Sequence, residues 1–126
     1  MKRLSISAGL IALLAVASAL HVWHLNDFTG QLAGLLTQAQ EQAEQGNWEE
    51  AARLTRQAQD RWMEHESYLH ITLRHSDTDA VYTRFREVHE FLQCREGGEY
   101  SAANACLIAE LELLAEAEQF TIENVL

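Results

Sequence analysis

Residues 4–25, LSISAGLIALLAVASALHVWHL, carry no charge and are bracketed by Lys2-Arg3 on one side and Asp27 on the other. At about 1.5 Å per residue, a helix of this stretch is roughly 33 Å long, enough for the ~30 Å hydrocarbon core of a bilayer. The segment has two readings. A basic start followed by an apolar run is also the pattern of a secretory signal peptide, and Ala17-Ser18-Ala19 has the small-x-small form of a cleavage site. The apolar run continues past that site through Leu20, Val22, Trp23 and Leu25, and Trp23 stands where an aromatic residue meets the headgroups. A retained anchor over residues 1–26 is therefore the favoured reading, with secretion after cleavage near Ala19 as the alternative. No cysteine follows the run, so a lipoprotein anchor is not available.

The charge on either side sets an orientation. Lys2 and Arg3 sit at the N-terminus, while all 19 acidic residues lie beyond the span. By the positive-inside rule the N-terminus stays in the cytoplasm and residues 27–126 are extracytoplasmic, in a single-pass arrangement. The whole chain has a net charge of −10, and setting Lys2 and Arg3 aside leaves the remainder at −12. That balance excludes nucleic-acid binding through phosphates, which needs a Lys/Arg surplus, and docking onto anionic lipid heads. It fits a solubilising acidic surface.

Beyond the span, about 100 residues suffice for one small domain. There is no proline, and long Ala/Glu/Gln/Leu/Arg stretches favour helix. The expected fold is all-α: an N-terminal transmembrane helix followed by a small antiparallel helical bundle of two αα-hairpins. Phe28, Leu32, Leu35, Leu36, Ala39 and Ala43 recur at helical spacing up to Gly46. Asn47 then reads as an N-cap, with Glu50 at the third helical position. The next stripe is Trp48, Ala51, Thr55, Ala58, Trp62, His65, Leu69 and Thr72. It loses register near Ser76-Asp77-Thr78-Asp79, and a new stripe runs through Val81, Phe85, Val88 and Leu92. This predicts a turn or kink capped by Ser76 or Asp77, with one unbroken helix from Trp48 to Arg95 as the alternative. Gly97-Gly98 reads as a stop, Glu99 to Gln119 as the last helix, and Phe120 to Leu126 as a short apolar tail.

That last helix carries two apolar stripes. Tyr100, Ala103, Leu107, Leu111 and Leu114 make one; Ala102, Cys106, Ala109, Leu113, Ala117 and Phe120 make another, rotated by about 100°. A bundle helix usually needs one stripe. Two imply a central position, or a face kept for a partner, for which the contact candidates are Tyr100, Leu107, Leu111, Phe120 and Ile122. Gly46-Asn47-Trp48-Glu49-Glu50-Ala51-Ala52, echoed at Gly98-Glu99-Tyr100-Ser101-Ala102-Ala103, resembles the turn of a tetratricopeptide unit. The spacing between the two is 52 residues rather than about 34, and the terminal proline is missing, so similar turn chemistry in two hairpins is the better description.

The chemistry-bearing residues form no site. His65, His70 and His75 are five apart, which rotates successive rings by about 140° on a straight helix and denies them a shared metal face. His75 and Asp79 have i/i+4 spacing and are the weak candidates for a metal, as half a site only. No Glu-x-x-His occurs, which removes the di-iron bundle pattern. Cys94 and Cys106, flanking the glycine turn, have marginal geometry for a bridge and read as semi-buried free thiols. With no nucleophile elbow, phosphate loop, haem or zinc spacing, no catalytic residue and no cofactor is expected, and the chain reads as a non-enzyme.

Trp62, then His75-Ser76-Asp77-Thr78-Asp79, Phe85 and Leu92, then the C-terminal Thr121-Ile122-Glu123-Asn124-Val125-Leu126, resemble a domain-of-unknown-function family of small bacterial single-span membrane proteins with a helical exported domain. The resemblance implies an anchored helical protein without an established activity, working beside a multi-span membrane protein. Two functional readings follow: a protein–protein interaction module or accessory subunit held at the outer face of the cytoplasmic membrane, its partner a membrane protein or a second copy of the chain in a homo-oligomer; or a bundle that senses a small ligand or metal.

Overall fold

A computed structural model of the chain describes residues 1–65 and 75–125, with the side chains of His75, Thr121, Ile122 and Val125 outside the description. The described residues form helices: α1 (Lys2–Glu44), α2 (Trp48–Glu64), α3 (His75–Cys94) and α4 (Gly97–Val125), with short turns between α1 and α2 and between α3 and α4. The all-α expectation holds, and the described residues contain no strand.

The helices form an up-down-up-down bundle in which each packs on two neighbours: α1 on α2 and α4, α4 on α3, and α2, more sparsely, on α3. Named pairs give each direction. Phe28 on α1 stacks with Trp62 on α2 at 6.3 Å between centroids. His89 Nε2–H on α3 donates to Gln59 Oε1 on α2 at 2.7 Å. Arg84 on α3 lies 3.8 Å from Glu110 on α4. Asn104 on α4 donates to the Leu36 carbonyl on α1 at 3.0 Å, and Gln40 donates to Ser101 Oγ at the same distance.

The core is the meeting of the four sequence stripes. Phe28, Leu32, Leu36, Ala39 and Ala43 of α1 face Ala51, Ala58 and Trp62 of α2, Val81, Phe85, Val88 and Leu92 of α3, and Tyr100, Leu107, Leu111 and Leu114 of α4, all buried. Each large side chain removed from water this way contributes about 1.5–3 kcal/mol. Thr55, also fully buried, satisfies its hydroxyl on the Ala51 carbonyl one turn back, at 2.8 Å.

Element boundaries depart from the sequence reading in several places. α1 is one continuous helix that runs without interruption past residues 26 and 27. Leu25, assigned above to the span, is 1% exposed and opens the bundle core. Asn47 occupies the N-cap position of α2, yet its amide turns away to donate to Gln42 Oε1 at 3.0 Å, while Glu50 pairs with Arg53 instead of closing a capping box. Gly46, at φ +83°, supplies the left-handed residue that lets α1 turn into α2. The helix from Trp48 stops at Glu64, where the His65 N–H folds back to the Trp62 carbonyl, so the unbroken-helix alternative is ruled out. Ser76 and Asp77 lie inside α3 and do not cap a break there. Leu69 and Thr72 lie outside the described residues. The stop before α4 falls at Arg95, which takes φ 55°, and Gly97-Gly98 form the first turn of α4. The expected apolar tail is helical through Val125.

Candidate functional site

The surface with the clearest physical demand is the N-terminal part of α1. With 43 residues, α1 is about 65 Å long, twice what the bundle needs. Its most apolar window lies near the N-terminus and none of its residues is fully buried, which makes α1 the one described helix long and apolar enough to cross a membrane. Leu4, Ile6, Leu10, Ile11, Leu13, Leu14, Val16 and Leu20 point outward around the whole circumference. Apolar side chains on every face suit lipid or a large partner, whereas an exposed face of a bundle helix is polar.

Just below the bundle, aromatic and imidazole groups gather where α1, α2 and α4 meet. The His65 ring packs at a 39° tilt on Phe28 with 4.4 Å between centroids, and its Nδ1 lies 3.0 Å from the Arg61 carbonyl. His24 stands 6.2 Å from His65, and His21 Nε2 lies 3.6 Å from a Glu118 oxygen across the α1/α4 seam. Trp23 is exposed at this level. Among the described residues no cluster of three metal-ligating side chains exists. Asp79 is exposed, and the side chain of its proposed companion His75 lies outside the description.

The opposite end of the bundle holds the turn aromatics. Trp48 from the first turn meets Tyr100 from the second edge-to-face at 6.2 Å, so the two similar turns pack on each other. Burial, with help from Glu44, pushes the Tyr100 phenol up to about 12. An open groove of about 570 Å³ beside Trp48 is lined by Arg53, Arg56 and Arg95 with Glu49 and Glu50. Arg53 is spoken for by Glu50, whose carboxylate its hydrogen bond holds below the usual range. Along the α2/α3 seam, burial and then Arg56 lower the His89 pKa, against a smaller opposing pull from Asp60.

The partner-contact candidates divide. Tyr100, Leu107 and Leu111 are at most 1% exposed, packed inside the bundle, and are corrected to core residues. The reason is that α4 turns this stripe toward α1 and α3. The second stripe, Ala102, Cys106, Ala109, Leu113, Ala117 and Phe120, faces outward. Phe120 is 67% exposed; the side chain of Ile122 lies outside the description. Cys94 and Cys106 are free thiols, and both are exposed where the sequence suggested semi-burial.

Sequence reasoning missed Asn104. It is fully buried and donates to the Leu36 carbonyl and to Gln40 Oε1, setting the register of α4 on α1. Its position four residues after Tyr100 and three before Leu107, on the inward stripe, was the available signal. The Tyr100 hydroxyl and Asn104 Oδ1 are buried with no hydrogen-bond partner among the described residues.

No curated protein and no solved structure matches the chain. A family model does match, over residues 19–125, which takes in the whole bundle and excludes the bare start of α1. On that match the chain belongs to the family described as domain of unknown function (DUF4363).

Proposed function

We propose that the protein is a membrane-anchored, non-enzymatic interaction module. The N-terminal part of α1 crosses the cytoplasmic membrane with Lys2 and Arg3 inside, and the bundle stands on the outer face. The bundle offers the outer stripe of α4 to another protein embedded in the same membrane, such as a multi-span protein. The observation that carries this reading is that stripe: Ala102, Cys106, Ala109, Leu113, Ala117 and Phe120 are exposed along a helix whose inward side is already filled. Small residues there allow a second helix to approach closely, and Leu113 supplies apolar area. A second copy of the chain is the competing occupant.

Photo-crosslinker placed at Leu113, compared with the same group at exposed Asp60 on α2, tests the reading in native membranes. A discrete heavier adduct from Leu113 and none from Asp60 supports it; an adduct of twice the chain mass assigns the partner as a second copy. Monomer alone from both positions refutes it.

A further inference from the structure

The bare part of α1 is too short for the membrane assigned to it. Residues 2–14 are exposed on all sides, a length of about 20 Å against the ~30 Å of a hydrocarbon core. From Ala15 onward one side is covered: Ala15, Ser18, His21 and Val22 are half-buried at helical spacing. On this side α4 reaches α1 at His21, whose Nε2 lies 3.6 Å from a Glu118 oxygen. Asn104 lies opposite Leu36 and Glu118 lies opposite His21, so α4 descends about one residue for each residue that α1 climbs. On that register Val125 is level with about Ala15, and the last two turns of α4 flank residues 15–21 of α1. A 30 Å apolar core laid over α1 from its N-terminus needs about 20 residues, so its outer boundary falls near Leu20 to Trp23. The end of α4 is then below that boundary.

Resting on the anchored reading above, we propose that the C-terminal two turns of α4, Glu118–Val125, enter the outer leaflet of the membrane at the headgroup–acyl boundary, with Phe120 as their lipid-facing anchor. Phe120 is 67% exposed, as is Trp23 on α1 at nearly the same level, and the two give the bundle a pair of interfacial aromatics. Glu118, at the start of this segment, turns toward α1, where one of its oxygens lies 3.6 Å from His21 Nε2. Side chains lean toward the N-terminus of their helix, which on α4 points away from the membrane. Exposed Glu123 is thereby directed back to the headgroups. Glu116, Glu118 and Glu123, with no Lys or Arg on α4, give anionic lipid nothing to attract, so apolar burial is the source of the contact.

The test uses full-length chain in phosphatidylcholine vesicles, with Cys94 and Cys106 replaced by serine and one fluorescent label at a time on Phe120→Cys, Leu113→Cys or Leu10→Cys. Lipids bearing a nitroxide near the headgroup or at mid-chain report depth, and iodide reports water. The label at Phe120 is expected to be quenched by the shallow nitroxide and shielded from iodide about threefold or more relative to Leu113, while Leu10 responds to the mid-chain nitroxide. Adding anionic lipid leaves the Phe120 signal unchanged. A Phe120 label as open to iodide as Leu113, with Leu10 still quenched by lipid, overturns this proposal and leaves the anchor standing. A Leu10 label in water overturns the anchor, and the proposal with it.

Discussion

The two halves of α1 are one helix in two surroundings. From Leu25 to Ala43 only one stripe is apolar and it is buried; from Leu4 to Leu20 the apolar residues point every way and none is buried. The C-terminal half is held by its neighbours, with Asn104, Ser101 and Trp62 fixing its place. The N-terminal half makes no comparable contacts before Ala15. On the proposed reading, folding and anchoring are therefore separable properties of a single element, and mutations should affect one without the other.

The largest separation is expected at Trp62. Trp62→Ala removes a ring that is 2% exposed at the α1/α2 seam and should cost about 3–5 kcal/mol. Thermal melting of the full chain in detergent should show Tm falling by more than about 10 °C, given about 4–8 °C per kcal/mol for a domain of this size. The protein should still sediment with membranes. The mirror-image change is Leu10→Arg, which places a charge in the bare half at a cost of about 2.5–3.5 kcal/mol for insertion. Membrane fractionation should show a soluble or mis-inserted pool, with the melting temperature of the bundle unchanged. If Leu10→Arg lowers Tm as Trp62→Ala does, the two halves are not independent.

Asn104→Ala sharpens the comparison from the bundle side. It deletes one buried and one part-buried hydrogen bond to α1 and leaves Gln40 Oε1 short of a donor, an expected loss of about 1–3 kcal/mol read from urea unfolding. The smallest effect is at His89. Folding lowers its pKa, so the unfolded chain takes up a proton that the folded α2/α3 seam refuses. That contribution is fully present above the ordinary histidine pKa of about 6.5 and is lost as pH falls below it toward the folded value. His89→Gln should flatten this part of the stability–pH profile, by well under about 1 kcal/mol, while the bare half of α1 is indifferent to it.

The bundle stripes were legible because spacing alone reports which residues share a helix face. Val81, Phe85, Val88 and Leu92 needed no neighbour to be identified, and neither did Ala51, Thr55, Ala58 and Trp62. On α4 the same information was insufficient. Both stripes are apolar, and only the approach of α1 and α3 decides that Tyr100, Leu107 and Leu111 go inward while Leu113 and Phe120 stay out. Local capping signals misled for a related reason. Ser76 and Asp77 are good cap residues and sit inside α3, and Asn47 prefers Gln42 to the helix it starts. The continuity of α1 had no local marker, because nothing between His24 and Phe28 breaks a helix and the change there is in what surrounds it.

The central claim is that residues 1–19 remain part of the working protein as its membrane anchor. The mass and N-terminal sequence of the chain recovered from native membranes test it most directly. A chain beginning at or next to Met1 and resisting alkaline extraction is the predicted result; a mature chain beginning at Leu20, with the bundle free in the soluble fraction, would contradict it.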